Sequence, residues 1–523
     1  MSRTKEIQIF ESIKQKLTTD DGSLLYAGNL LQRACQQFPT NIALIEPTKT
    51  ITYKELYFRS LLVGKKLKEA GVQPGDRVLL YFENSAAFYV AYFAIWQLGA
   101  VVCPLNIFLH AKELAHIITD AAPSLIFSSS TLQSNLEDLV TDGLLATLPP
   151  ILNEQIIDWD AAVPSDIAAA FPDMTPVTRN TDQLCVLMYS SGTTGVPKGI
   201  MLSSKNILTN TMQSYARFTL NGQTDKERFF SVLPLFHVFA QHVCLWLPIM
   251  TGSSIIIVAK IDRKLILEGL EKKPTLFFGF PALYGLLCLM KTAPLDSIKM
   301  FVSGADMLPD KIRAGFAMIY GRKICSGYGL SEASPVVGVN HENDEEPTTV
   351  IGYPLVGIDC EVRDDSEQQV ERGTIGTLWL RGDNIMMGYY NAPESTATVL
   401  KNGWLNTGDL GSIDEQGKLA IRGRSKDLII HKGFNIYPAE IENILMRHPA
   451  VFKAAVIGQP EAMSGEVPVA FVAVKKSDSN LEEHLRILCA SNLASYKIPR
   501  KFICLEDLPM NATGKIDKKQ LHL

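Results

Sequence analysis

The sequence has no surplus of charge of one sign. Its 50 Lys and Arg face 55 Asp and Glu, a formal net charge of -5 over 523 residues. Nothing in that balance selects nucleic acid as a partner. The nine cysteines stand singly, with no CxxC pair, so a zinc ribbon, a dithiol redox motif and a disulfide framework are not expected. The opening MSRTKEIQIF lacks the basic-then-apolar order of a secretory leader, and a cytoplasmic protein is the expectation. Tandem repeats and low-complexity tracts are also missing. One hydrophobic run, AAFYVAYFAIWQLGAVVCPL (86–105), approaches the length of a membrane span, but Gly99 and Pro104 interrupt it. The pattern predicts a buried helix over 85–98, a stop at Gly99 and an interior strand over 100–103. No transmembrane segment is expected; peripheral contact with a membrane stays open.

A hydrophobic content of 46% over this length supports sizeable cores, and two or more domains at ~100–200 residues each. Strand and helix signals alternate through the first part. IALIEPTKTITY reads as two short strands, 53–70 as a helix ended by Gly71, GDRVLLYF as a strand, 110–121 as a helix and 125–128 as a strand. Such alternation implies α/β architecture with parallel sheets covered on both faces. KKPTLFFGFPALYGLLCLM reads as a strand, a Pro-marked corner and a helix. The last hundred residues form a separate α+β pattern, and the polar break IRGRSKD places the junction between domains 1–424 and 425–523.

The densest chemistry lies in YSSGTTGVPKG (189–199), directly after the apolar run 184–188. Glycines let successive N–H groups converge on one point, and such nests bind anions. Ser190, Ser191, Thr193 and Thr194 add hydroxyl donors, and Lys198 adds a full positive charge. Phosphate is the ligand best served. The segment is not a Walker A loop, because Pro197 precedes Lys198 and Gly199 follows it, where Gly-Lys-Ser/Thr is required.

YSSGTTGVPKG resembles the phosphate loop of the adenylate-forming superfamily, which includes acyl-CoA synthetases, firefly luciferase and the adenylation domains of peptide synthetases. Four further segments resemble that family's motifs in the same order: SGYGLSEAS (326–334), GWLNTGDLG (403–411), GRSKDLIIHKGFNIYPAEIE (423–442) and NATGKIDKKQL (511–521). The resemblance spans nearly the whole chain. It implies a large N-terminal adenylate-forming domain of layered sheets and helices, followed by a small mobile α+β domain. It also implies a two-step reaction, in which a carboxylate attacks the α-phosphate of ATP and a thiol then displaces AMP from the acyl-adenylate.

The same resemblance assigns roles. Ser190, Ser191, Gly192, Thr193, Thr194, Gly195 and Lys198 would hold the β- and γ-phosphates. Gly304, Ala305, Tyr328, Gly329 and Ser331 would line the nucleotide pocket, with Tyr328 on adenine. Glu332 would carry Mg2+, Asp409 the ribose hydroxyls, and Arg424 the ribose or phosphate side. Lys515 would bridge the attacking carboxylate and the α-phosphate, as charge stabilisation in the transition state. Lys426 marks the hinge about which the small domain swings, bringing Lys432, Gly433, Phe434 and Asn435 to the thiol-transfer step. Ser331 stands where many relatives have Thr, and the hydroxyl is kept. GLSEA (329–333) approaches the nucleophile elbow G-x-S-x-G but ends in Ala.

For the carboxylate, family members that activate amino acids place an Asp in the segment matching LPLFHVFAQ (233–241). Here His237 stands among Phe236, Val238 and Phe239, and a buried ammonium without a carboxylate is costly. With Gly304 and Gly329 as small wall residues, a medium- or long-chain fatty acid is expected, and an aryl acid such as a cinnamate remains open. CoA is the expected acceptor, since no inserted segment is evident near the hinge. A fatty acyl-AMP ligase that uses an acyl carrier protein is the alternative. A non-catalytic nucleotide-binding module ranks last, because no key motif residue is missing.

Overall fold

The computed structural model describes residues 3–522 apart from 175–178, 191–196, 221–225, 342–346, 432–433, 462–464, 475–479 and 512–514. Among the described residues the strands form four sheets, of eight, seven, six and five strands. In the eight-stranded sheet the order is Val336–Val339, Cys325–Gly329, Met300–Ser303, Leu276–Gly279, Arg228–Ser231, Ser254–Ile257, Ile42–Ile45, Thr50–Thr52. Its interior pairs are parallel, and only the two edge strands run antiparallel. The seven-stranded sheet has a parallel interior of Leu184–Ser190, Val101–Pro104, Arg77–Tyr81, Leu125–Ser128 and Ile151–Asn153, extended on one side by Lys198–Ser203 and Gly388–Tyr389 in antiparallel pairing.

The long apolar run lies between these sheets as core. Helix Ala86–Gln97 is buried at every residue. Ser85 caps it by accepting the Phe88 N–H, and Gly99 follows with φ +69, a conformation that suits glycine. The polar tips of its aromatics are satisfied by protein. Trp96 donates to the Cys185 carbonyl (3.1 Å), Tyr89 to the Cys244 carbonyl (2.9 Å) and Tyr92 to Gln241 Oε1 (3.0 Å). A helix that is apolar all round has to be buried, and here protein covers it. Among the described residues no helix is long and apolar enough to cross a membrane. Helix Tyr53–Glu69 begins with a capping box between Thr52 and Glu55.

Two more sheets complete the chain. Residues 350–424 build the six-stranded antiparallel sheet, which contains Trp404–Ile413 and Leu419–Arg424. The five-stranded sheet lies within 429–505 and is covered by helices Pro438–Met446 and Leu481–Asn492. This last unit has its own core, with Ile429, Ile441, Leu445, Val456 and Leu485. It leans on the rest of the chain through Lys311, whose Nζ donates to the His448 and Val451 carbonyls, each at 3.1 Å.

Candidate active site

In parallel α/β sheets, ligands bind beyond the carboxyl ends of the strands. Gly304 follows strand Met300–Ser303, and Tyr328 lies near the end of Cys325–Gly329. A Cβ on Gly304 would come 3.1 Å from Phe239 Cζ, so the glycine lets that ring close over the backbone. Ala305 holds φ +68 without being glycine, a strained turn of the sort found at functional sites. Gly329 has a firmer requirement, since a Cβ there would lie 2.1 Å from the Pro335 carbonyl oxygen.

The two arms of the glycine-rich segment form a hairpin in which Ser190 pairs with Lys198. Ser191, Gly192, Thr193, Thr194 and Gly195 lie outside the described residues. Helix Ala111–Ala121 grips both arms. Tyr189 Oη donates to Asp120 Oδ2 at 2.6 Å, and His116 Nε2 sits 3.2 Å from the Pro197 carbonyl. Lys198 Nζ donates to Ser395 Oγ at 3.0 Å and stands 5.5 Å from the Tyr389 ring centre. Tyr389 Oη in turn donates to Glu332 Oε1 at 2.9 Å. Lys198 and Glu332, 134 positions apart by their numbers, are thus joined through one tyrosine.

A second cluster gathers Tyr328, Asp409, Arg424, Lys515 and His237. Asp409 is 6% exposed; its Oδ2 accepts from Tyr328 Oη at 2.6 Å, and its Oδ1 lies 3.3 Å from Arg424 Nε. Asp409 and Arg424 face each other across neighbouring strands. Burial raises the Asp409 pKa, while Arg424, the Tyr328 hydroxyl and Lys515 pull it back down. Burial and the neighbouring carboxylate both keep the Tyr328 phenol protonated, as its donor role requires.

Lys515 belongs to the small unit, where its N–H donates to Asn511 Oδ1 at 3.0 Å and its carbonyl accepts from Asn511 N at 2.8 Å. The residue as a whole remains open to solvent. Even so, the protein crowded around its ammonium lowers its pKa; Asp306 and Asp409 oppose that effect and Arg424 adds to it. His237 precedes the short helix Val238–Gln241 at its N-cap position without a side-chain capping bond, and its ring lies 4.9 Å from that of Phe236. Burial, and then the Lys515 charge, lower its pKa from 6.5 to about 4. His242, fully buried against Ser214 Oγ at 2.8 Å, falls to about 3. Both rings are protonated more readily when unfolded, so stability is expected to fall as pH drops from 6.5 towards 4. His237→Phe should flatten that loss in a pH series of thermal midpoints, and an unchanged slope would contradict the assignment.

Lys426 occupies the turn Ser425–Asp427, exposed and two residues past Arg424. Lys432 and Gly433 lie outside the described residues, while Phe434 is 55% exposed and stacks on Tyr496 at 4.8 Å. Sequence reading missed Tyr389, Ser395, Asp306, Asp120 and His116. For Tyr389 a signal exists in GYYNAPES (388–395), where paired aromatics precede a Pro-initiated helix, but the pattern carries no chemistry by itself.

The AMP-binding enzyme family matches residues 31–390, and the AMP-binding enzyme C-terminal domain matches 440–515. A long-chain-fatty-acid–CoA ligase of Bacillus subtilis (strain 168) is 32% identical over 94% of this chain and 93% of its own. A feruloyl-CoA synthase of Amycolatopsis sp. is also 32% identical, over 94% and 97%. Among solved structures, O-succinylbenzoate coenzyme A synthetase from Bacillus subtilis in complex with ATP and magnesium ion superposes with a TM-score of 0.83 at 27% identity, over 94% of this chain and 99% of that one. The chain belongs to the AMP-binding enzyme family. It is an AMP-forming acid–thiol ligase, an acyl-CoA synthetase that works through an acyl-adenylate.

Proposed function

We propose that this enzyme activates a medium- or long-chain fatty acid, with CoA as the acceptor and residues 425–523 as a mobile domain. The observation that carries the substrate reading is the environment of His237. His237 is flanked in sequence by Phe236, Val238 and Phe239, its ring lies 4.9 Å from that of Phe236, burial and the Lys515 charge lower its pKa to about 4, and no carboxylate stands in that segment to pair an amino group. The fatty-acid ligase relative supports the same reading. Aryl acids form the second reading, favoured by the equally similar feruloyl-CoA synthase.

The residues present suit the nucleotide and its metal. Tyr389 engages Glu332 Oε1, and among the described residues no hydrogen bond takes the other carboxylate oxygen; Mg2+ is commonly bound through one or two carboxylates together with substrate phosphates. Bound Mg2+ would offset phosphate charge. Lys198 and the hydroxyls of the loop would hold the leaving pyrophosphate, and Asp409 the ribose. Lys515 would stabilise charge between carboxylate and α-phosphate. Phe434, exposed while Lys515 lies in the cleft, agrees with a small domain that presents two faces in turn.

The test is a panel of carboxylates scored first by ATP–pyrophosphate exchange and then by CoA thioester formation. Fatty acids should drive both, and amino acids should be weaker in exchange. Exchange with amino acids alone would refute the substrate reading, and preference for cinnamates would establish the second one. Replacing CoA by an acyl carrier protein in the second assay decides the acceptor.

Asp409→Ala removes two charge-assisted contacts and the ribose anchor. It is expected to raise KM for ATP about ten-fold or more and to slow both half-reactions. An unaltered KM for ATP would contradict the ribose assignment.

A further inference from the structure

We propose that Tyr389 is a positioning residue that sets the phosphate-loop lysine and the metal-binding glutamate at one fixed spacing, ready for a metal–nucleotide complex. The inference rests on the proposed roles of Lys198 and Glu332. It adds a residue for which no role follows from the five motifs.

The backbone of Tyr389 is held on both sides. It pairs with Ile200 in the strand that begins at Lys198, its N–H donates to Thr396 Oγ1 at 2.8 Å, and the following N–H, of Tyr390, donates to the Gly199 carbonyl at 2.7 Å. The side chain therefore leaves a rigid base. Its hydroxyl donates to Glu332 Oε1 at 2.9 Å, and its ring lies 5.5 Å from Lys198 Nζ, within the range of a cation–π contact. The same segment holds Glu332 by its backbone, since Met386 N donates to the Glu332 carbonyl at 2.9 Å. Ser395, from the helix after Tyr389, takes the Lys198 ammonium at 3.0 Å.

Two opposite charges could close on each other and cancel. Here one side chain engages both, with the cation 5.5 Å from the ring centre and the anion at the hydroxyl. Burial and the Glu332 charge keep that hydroxyl protonated, so it remains a donor. Among the described residues no second hydrogen bond engages the Glu332 side chain, which leaves Oε2 available. The lysine stem has many rotamers and the glutamate several, and fixing both before binding lowers the ordering cost at the moment of binding.

The experiment is calorimetric titration of the full-length enzyme with a non-hydrolysable ATP analogue, with and without Mg2+. Tyr389→Phe keeps the ring and removes only the hydroxyl. It should weaken binding of the Mg2+-loaded analogue about ten-fold, the loss of one hydrogen bond to a charged group, and leave metal-free binding within about two-fold. Tyr389→Leu should weaken both forms, because Lys198 loses its aromatic neighbour as well. On a Glu332→Gln background, Tyr389→Phe should add less than about two-fold, since the two act as one unit. If Glu332→Gln leaves the Mg2+ dependence intact, the role given to Glu332 fails and the positioning role falls with it. If Glu332→Gln abolishes that dependence and Tyr389→Phe does not touch it, the positioning role alone fails. Tighter Mg2+-loaded binding in Tyr389→Phe would also overturn it, because the hydroxyl would then be a competitor of the metal.

Discussion

Lys515→Ala is expected to slow acyl-adenylate formation by about 10²–10³-fold, the loss seen when one preorganised transition-state donor is removed. Supplied with presynthesised acyl-adenylate, the same variant should form acyl-CoA at close to the parent rate. The asymmetry follows from where the side chain lies. Lys515 belongs to the small C-terminal unit, yet its ammonium sits in the field of Asp409, Asp306 and Arg424 and repels a proton on His237, all of them on elements before residue 425. It can act there only while the small unit is docked in this orientation. On the proposed swing of that unit, the lysine would be withdrawn and would have no part in thiol attack. Lys426→Pro, which fixes φ in the turn Ser425–Asp427, is the converse variant. It should keep most of the pyrophosphate exchange and lose thioester formation. Equal loss of both half-reactions in a folded Lys515→Ala variant would rule out the two-orientation reading and leave one fixed active site.

Local chemistry made much of this legible in advance. The buried helix is predicted over 85–98 and found at Ala86–Gln97, because Ser85 and Gly99 punctuate it by means that need no tertiary information. The strand predicted over 100–103 lies at Val101–Pro104; Pro104 ends the run in sequence yet still pairs in register with Leu80. The antiparallel sheet over 350–424 was not legible. Two of its strands are two or three residues long, and register shifts break the ladders of the longer ones, including that between Trp404–Ile413 and Leu419–Arg424, so the alternation is interrupted. In the site, Asp409 and Tyr328 could each be named from a motif. Their direct hydrogen bond could not, because it joins strands of two different sheets. The link from Lys198 through Tyr389 to Glu332 was hidden for the same reason: residues far apart in the chain meet only after the sheets are assembled.

The largest expected effect on stability lies away from the chemistry, at Arg217. This guanidinium is 7% exposed and forks onto both oxygens of Glu6, itself 3% exposed, at 3.1 Å each. It also donates to the Val339 carbonyl at 2.6 Å and the Tyr353 carbonyl at 3.1 Å. With the Pro354 carbonyl at 3.4 Å, five acceptor atoms meet this one guanidinium, and Glu6 has a second, half-exposed cation in Arg3 at 3.4 Å. Arg217→Met would leave three carbonyls without it and the buried Glu6 carboxylate with Arg3 alone, a loss of about 3–5 kcal/mol by comparison with other broken buried pairs. Arg217→Lys should rescue little, because an ammonium is a point charge and cannot reproduce the planar fork. The double variant Arg217→Met with Glu6→Met should be more stable than Arg217→Met alone, since it removes the stranded charge. A chain of this size is not expected to unfold in one step, so the measurement is the denaturant transition followed by fluorescence alongside ATP binding. Both should shift together, because Val339 pairs with Gly327 in the strand that carries Tyr328. A transition within about 1 kcal/mol of the parent would mean that water or a neighbouring cation takes over the task of the guanidinium.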